Sequence, residues 1–513
     1  MNGQIETIKD IIDYAAEEYG PQAAFRYKVR KEVADRTYQD LKRDSEAFGN
    51  ALISFGMQGK HVAVIGPTTY EWVVSYFGTA DSGGVVVPLD AQLPAADLCE
   101  LLDRADIEVL VYDELRKDAA AMAGEKCPKI RYFISMQAAE SRDAGDGREI
   151  LSLHTLLGEK EGELQFSPDP DSLCAILFTS GTTGRSKGVM LTHRNLADNA
   201  VCLDMGIPAG TVSMTVLPIH HAYCFTMDIL KGLSIGLTIC INDSIMHVAK
   251  NMKLFQPEII LMVPMIVESV YRKLQEAGGL IPRKLVAKAA FGGKLKTICS
   301  GGAYLAPELV RAFADYGITV LQGYGMTECS PVISTNLSGD SREGSVGRLL
   351  PNCEAKAVDG ELWVRGSSVM RGYYKMPEET AETLRDGWLR TGDLGYVDED
   401  GFVFLTGRSK NLIILKNGEN ISPEELENEL AKSPLVREVL VREWDNVIQA
   451  VIFPDQEYAD KKRIRDVPGR LQELVDEYNA GLPLYKKIRS LKVRDQEFEK
   501  TTSKKIKRNA ESI

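Results

Sequence analysis

Between Lys60 and Tyr316 the chain alternates short, apolar, β-branched runs with amphipathic stretches, and few folds tolerate that rhythm. Residues 61–65, 84–88 and 107–112 read as strands, with 70–80 and 95–105 as helices between them. The rhythm returns over 211–217, 237–241, 259–263 and 296–299 as strands, with helices over 244–255, 265–276 and 307–316. Apolar, β-branched runs alternating with amphipathic helices imply sheets covered on both faces, so the expected fold is α/β with parallel sheets flanked by helices. Two doubly wound lobes are expected, divided near 165–171. From about 341 the texture changes to short β-type segments between Gly and Asp turns, which suits a small barrel-like unit. After Gly407 a last α+β unit begins, its first helix signalled by Ser422, Pro423 and Glu425. The expected domains are therefore 1–407, with lobes 1–170 and 171–340 and the barrel-like unit 341–407, followed by a small domain at 408–513.

A chain of 513 residues exceeds one core. Its 61 Lys and Arg against 73 Asp and Glu give a net charge of −12, which argues against nucleic acid as a partner. Nine scattered cysteines without a Cys-x-x-Cys pair fit reduced thiols, not a disulfide framework or zinc site. Residues 1–6 carry no secretory pattern, and the most apolar window, 259–267, is short and broken by Pro264. A soluble, cytoplasmic protein is expected without a transmembrane segment. The basic tail from Lys500 leaves peripheral membrane contact open.

The strand at 175–178 runs into Thr179-Ser180-Gly181-Thr182-Thr183-Gly184-Arg185-Ser186-Lys187-Gly188. Apart from Arg185, these residues are all Gly, Ser, Thr or Lys. Glycine admits close approach of backbone N–H groups, hydroxyls donate hydrogen bonds and Lys187 adds charge, a composition suited to polyphosphate. The spacing is not that of a Walker loop, which counts against a P-loop ATPase or kinase. A plain polar turn is the alternative.

Other segments are compatible with the same nucleotide site. Ser300-Gly301-Gly302-Ala303-Tyr304 follows a strand, where glycines let a flat ring lie against the backbone. Gln322-Gly323-Tyr324-Gly325-Met326-Thr327-Glu328 offers an aromatic face, a hydroxyl and a carboxylate. Asp393 sits in a Gly-rich turn suited to ribose hydroxyls, Arg408 and Lys410 lie where the last unit begins, and Lys505 lies in the basic tail. Each alone is weak, but their order along one chain is hard to assign to chance.

With these motifs in place, the chain resembles the adenylate-forming superfamily of acyl-CoA synthetases, peptide-synthetase adenylation domains and firefly luciferase, over about residues 10–508. The resemblance implies two half-reactions. ATP and a carboxylate give an acyl-adenylate and pyrophosphate, and a thiol then displaces AMP. It implies that Thr179, Ser180, Gly181, Thr182, Thr183, Gly184 and Lys187 hold the β- and γ-phosphates. Gly301, Gly302, Ala303 and Gly323 would line the adenine, with Tyr324 stacked on it. Thr327 would touch the α-phosphate, Glu328 would bind Mg²⁺, and Asp393 and Arg408 would bind the ribose. Lys505 would bridge the attacking carboxylate and the ribose–phosphate oxygens. Lys410 would be the hinge of a rotating C-terminal domain, and Gly418 would leave room for a pantetheine arm. Leu217-Pro218-Ile219-His220-His221 would place His221 beside the acyl carboxylate, with His220 structural. In the tail, Lys504 stands where the family usually has glycine.

Amino-acid adenylation domains place an aspartate just after the stretch matching Leu217–His221. Here no acid occurs until Asp228, which favours a neutral acyl or aryl group. Segments 303–305, 328–333 and 411–420 look closest to bacterial medium- and long-chain fatty acyl-CoA synthetases. The expected cofactors are ATP, Mg²⁺ and CoA, or the phosphopantetheine of an acyl carrier protein. Loading of a carrier protein and a non-catalytic nucleotide-binding regulator are the alternatives.

Overall fold

The computed structural model describes residues 5–144, 148–179, 186–279, 281–414, 420–445, 447–500 and 506–508. The chain divides into two compact units, one of residues 1–355 and 364–389, the other of 356–363 and 390–513.

The larger unit is built on two nine-stranded sheets with parallel centres. In one, His61–Ile65 lies between Val85–Leu89 and Ile107–Tyr112 in parallel register, and Tyr132–Ser135 continues the run. These strands are buried on both faces, which is why they read as unbroken apolar runs. The helix Tyr70–Asp81, capped by the Thr69 side chain on the Trp72 N–H, is buried along its whole length. In the second sheet, Val212–Met214, Ile259–Met262, Thr297–Ser300 and Thr319–Gly325 form the parallel centre. The helix Pro264–Gly278 begins on its proline, whose missing N–H costs nothing there.

The strands are not shared out as a division near residue 170 would have them. Leu173–Thr179 and Lys187–Thr192 join the first sheet, where Ala175 faces Val86 of Val85–Leu89. The hairpin Ala23–Val29 and Glu32–Thr37 crosses the other way, with Phe25 opposite Ile239 of Thr238–Cys240. Apolar runs specify a buried strand but not which sheet accepts it. Helix caps frame this crossing. Thr37 and Asp40 form a reciprocal capping box on Tyr38–Ser54, as Thr7 and Asp10 do on Ile8–Tyr19.

The smaller unit holds most of the hairpin of Trp388–Val397 and Val403–Arg408, paired antiparallel. It also holds a sheet of Val436–Trp444, Val447–Pro454 and Ile488–Val493, with helices Pro423–Leu430 and Val467–Ala480 packed on its apolar face. Residues 390–407 thus belong with the C-terminal unit, not with the large one. Ser422 occupies the N-cap position with Pro423 first in the helix, but its hydroxyl donates to Glu424 Oε2 at 2.9 Å instead of capping the backbone. Glu425 pairs with Lys486 at 2.9 Å. Among the described residues no helix is long and apolar enough to cross a membrane.

Candidate active site

In the larger unit the candidate residues gather at the carboxyl ends of parallel strands, where α/β sheets bind ligands. Thr179 ends Leu173–Thr179, Ser300 ends Thr297–Ser300 and Gly325 ends Thr319–Gly325. Thr179 and Lys187 face each other across the antiparallel pair that brackets the phosphate loop, with Thr179 Oγ1 3.4 Å from the Lys187 carbonyl. Ser180, Gly181, Thr182, Thr183 and Gly184 lie outside the described residues.

Lys187 Nζ lies 4.7 Å from the ring centre of Tyr373. The Tyr373 hydroxyl donates to Glu328 Oε1 at 2.8 Å. One aromatic ring therefore joins the lysine of the phosphate loop to the carboxylate of the Tyr-Gly-x-Thr-Glu segment, 141 positions apart in sequence number. Burial first, then the Glu328 charge, holds the Tyr373 phenol well above its ordinary range, so it stays a neutral donor. Sequence reasoning missed Tyr373, which sits in a two-residue strand, Gly372–Tyr373, too short to show a period. In Tyr373→Phe the ring beneath Lys187 remains and the bond to Glu328 goes. Adenylation kcat is expected to fall roughly tenfold, the weight of one hydrogen bond to a charged group. Steady-state AMP release would check this, with ATP affinity little changed.

Thr327 and Glu328 form a single helical turn, Thr327–Cys329. It is held by Asn199, a second residue without a sequence signal. Asn199 Nδ2 donates to Val332 O at 2.8 Å and Cys329 O at 3.2 Å, while its Oδ1 accepts from the Val332 N–H at 3.1 Å. Tyr324 is 8% exposed within its strand, and Gly323 pairs with Thr335. Gly302 is left-handed at φ 85°, and Gly302 and Ala303 are exposed while Gly301 is buried. A Cβ at Gly301 would stand 3.2 Å from Tyr223 Cζ.

His221 opens a helical segment, its carbonyl accepting from the Phe225 N–H at 3.0 Å. Its ring lies 4.2 Å from that of His220, whose Nε2 is 3.9 Å from Asp90 Oδ2. Burial, with the neighbouring His221 ring, pushes His220 down to about 3, so it is neutral at pH 7.

In the smaller unit Asp393 and Arg408 are direct cross-strand partners, and Arg408 Nε is 2.8 Å from Asp393 Oδ1. Asp393 is only 5% exposed, inside the strand Trp388–Val397, and follows Gly392, which has a φ of 70° within that strand. Lys410 follows in the turn Ser409–Asn411, its ammonium pulled below the usual lysine value by burial first and then by the Arg408 charge. Gly418, Lys504 and Lys505 lie outside the described residues.

Among the described residues no group of three or more His, Cys, Asp or Glu could hold a metal alone. A carboxylate such as Glu328, together with substrate phosphates, would suit Mg²⁺, which keeps several of its waters.

Sheets with parallel centres and a hydroxyl- and glycine-rich sequence after a strand end are features that α/β folds offer to nucleotide phosphates. Residues 12–374 match the AMP-binding enzyme family, and residues 410–512 match the AMP-binding enzyme C-terminal domain. The chain belongs to the AMP-binding enzyme family. Among its relatives is a long-chain-fatty-acid–CoA ligase of Mycobacterium tuberculosis, 29% identical over 82% of this chain and 78% of that one. Another is 4-coumarate–CoA ligase-like 1 of Arabidopsis thaliana, 30% identical over 98% and 93%. ATP-bound MatB of Rhodopseudomonas palustris superposes with a TM-score of 0.82 at 26% identity, covering 99% and 98%. An anthranilate CoA ligase in complex with anthranoyl-AMP shares the fold, with a TM-score of 0.83 at 21% identity over 98% and 96%.

Proposed function

We propose that the protein is an AMP-forming acyl-CoA ligase acting on a fatty acid. ATP and the acid give an acyl-adenylate and pyrophosphate, and the CoA thiol then gives the thioester and AMP. The observation that carries this reading is the Lys187–Tyr373–Glu328 cluster, which joins a phosphate-gripping lysine to a buried carboxylate at one strand-end site. A relative named as a long-chain-fatty-acid–CoA ligase supports it, and one named 4-coumarate–CoA ligase-like supports the CoA step.

In this reading Thr179 to Gly184 and Lys187 hold the β- and γ-phosphates, Gly301 to Ala303 and Gly323 line the adenine, and Tyr324 stacks on it. Thr327 contacts the α-phosphate, and Glu328 would hold Mg²⁺, which when bound neutralises phosphate charge. Asp393 and Arg408 take the ribose hydroxyls. His221 positions the acid, Lys505 serves the adenylation step, Lys410 is the hinge and Gly418 lines the path of the thiol. The point of rotation just before Arg408 that goes with that hinge falls inside the smaller compact unit, whose C-terminal stretch begins at Arg390. Incubation with ATP, Mg²⁺, CoA and a panel of fatty, aryl and amino acids is expected to release AMP and form an acyl-CoA thioester with fatty acids. Acid-dependent pyrophosphate exchange without a CoA thioester would remove the CoA half. Exchange only with amino acids would overturn the choice of acid.

A further inference from the structure

The helix Ala95–Arg104 and the strand Ile107–Tyr112 are joined by Ala105 and Asp106 alone. Every residue of this corner is engaged. Arg104 Nη2 donates to the Ser186 carbonyl at 2.7 Å. The Ala105 carbonyl accepts from His61 Nδ1 at 2.5 Å. Asp106, at a left-handed φ of 50°, accepts from the Tyr374 hydroxyl at 2.6 Å and pairs with Lys375 and Lys129. The His61 ring meets that of Tyr374 edge-on, with centres 5.3 Å apart.

Ser186 and Tyr374 are both handles on Lys187. Ser186 precedes it in the chain, and the Tyr374 N–H donates to the carbonyl of Gly188, which follows it, at 2.8 Å. The backbone of Lys187 is therefore gripped on both sides, and both grips lead to the same corner. Tyr373, whose ring lies beneath the Lys187 ammonium, is the covalent neighbour of Tyr374. Arg104 also reaches the opposite strand: its guanidinium carbon lies 5.7 Å from the ring centre of Phe178, the residue paired with Gly188. A side chain only 19% exposed thus spans both strands at the foot of the phosphate loop. Among the described residues Lys187 makes no ion pair, so its backbone and the Tyr373 ring are what aim its charge.

We propose that Arg104 and Asp106 are positioning residues for adenylation: their corner sets the place of Lys187 against the departing phosphates, acting through Ser186, Tyr374 and the Tyr373 ring. The inference rests on the ligase reading above, in which Lys187 holds the β- and γ-phosphates, and adds to it a layer that touches no substrate. The pull of an ammonium on phosphate falls with distance, and a displacement of about 1 Å near the reacting groups is costly in rate. A charge-assisted bond to the preceding carbonyl is a strong way to prevent it.

The test is a double-mutant cycle in the full-length enzyme, read as pyrophosphate release with ATP, Mg²⁺ and a panel of fatty acids. Arg104→Met keeps the aliphatic stem and removes the guanidinium. It is expected to lower kcat/KM for ATP about tenfold, the weight of one charge-assisted hydrogen bond, with KM for the acid unchanged. Lys187→Ala should lose more, on the order of 10²–10³. Added to Lys187→Ala, Arg104→Met should cost nothing further, because a group that acts through Lys187 then has nothing left to place. Tyr374→Phe, which removes only the hydroxyl bond to Asp106, should show a smaller loss that also vanishes in Lys187→Ala, and it decides the matter if Arg104→Met does not fold. Losses that multiply in the double variants, or single variants at the wild-type rate, overturn the proposal and leave the ligase reading standing. A KM for the acid that rises as much as that for ATP makes the corner a general support and overturns it too. Full activity in Lys187→Ala removes the phosphate role of that lysine, and no pyrophosphate release by wild type with any acid removes the ligase reading; either result takes the proposal with it.

Discussion

Replacing Lys505 with alanine is expected to lower the acid-dependent adenylation rate by on the order of 10²–10³ while ATP still binds. Both reacting groups, a carboxylate and a triphosphate, are anionic, and charge shifts onto the bridging oxygens as the acyl–phosphate bond forms. A cation placed between them acts on that developing charge more than on the ground state, so its loss appears in kcat and not in ATP affinity. The chain on either side of 501–505 is anchored. Lys500 pairs across a β-bridge with Ile506, and Lys500 reaches Glu438 and Glu497. Ile506 packs beside Leu440, Val451 and Phe498, and Arg508 pairs with Glu427 and Glu424. Ile506, the residue after Lys505 in the sequence, is packed in that cluster, and by the resemblance Lys504 stands where the family usually has glycine. Pyrophosphate exchange on Lys505→Ala and Lys504→Ala in parallel, with ATP binding by calorimetry, decides between the two lysines. A fully active Lys505→Ala with a failing Lys504→Ala would move the role one position.

The same contrast between anchored and unsignalled residues governs what could be read from sequence. Strands His61–Ile65 and Ile107–Tyr112 emerge at their observed bounds because both faces are buried and all positions but His61 and Glu108 are apolar or aromatic. The hairpin Ala23–Val29 and Glu32–Thr37 does not, since its outer strand is an exposed, charged edge with little period-two signal. Nor does the π-helix Cys224–Leu230, which is buried nearly all round and so has no polar face to set a period. At the proposed site, Thr179, Lys187, Thr327 and Glu328 stand out in the sequence because the phosphate-binding role proposed for them calls for particular side chains at fixed spacing. Tyr373 and Asn199 are not, because their roles arise only when distant segments meet. Ser422 has the sequence of a cap and the position of one, yet Glu424 takes its hydroxyl.

Gly325→Ala should be nearly as damaging as loss of Lys505, through sterics alone. A Cβ at Gly325 would stand 2.0 Å from the Pro331 carbonyl oxygen and 2.8 Å from its carbon. Those are backbone atoms with no rotamer to retreat to. They cannot drift outward cheaply either, because the Met326 N–H donates to that same Pro331 oxygen at 2.9 Å and Asn199 bonds Val332 in both directions. Accommodation must come from the 326–328 segment, which carries Thr327 and Glu328. Overpacking of this kind costs about 1–3 kcal/mol of stability. A shift of about 1 Å in groups that touch phosphate lowers the rate by roughly 10²-fold. The expected result is a folded protein with a lowered melting temperature whose pyrophosphate exchange is nearly lost. Gly158→Ala is the control, since a Cβ there meets nothing within 4 Å, and it should leave both quantities unchanged. An active Gly325→Ala would mean that the turn bearing Glu328 can be displaced without harm, which is incompatible with Glu328 acting at the phosphates.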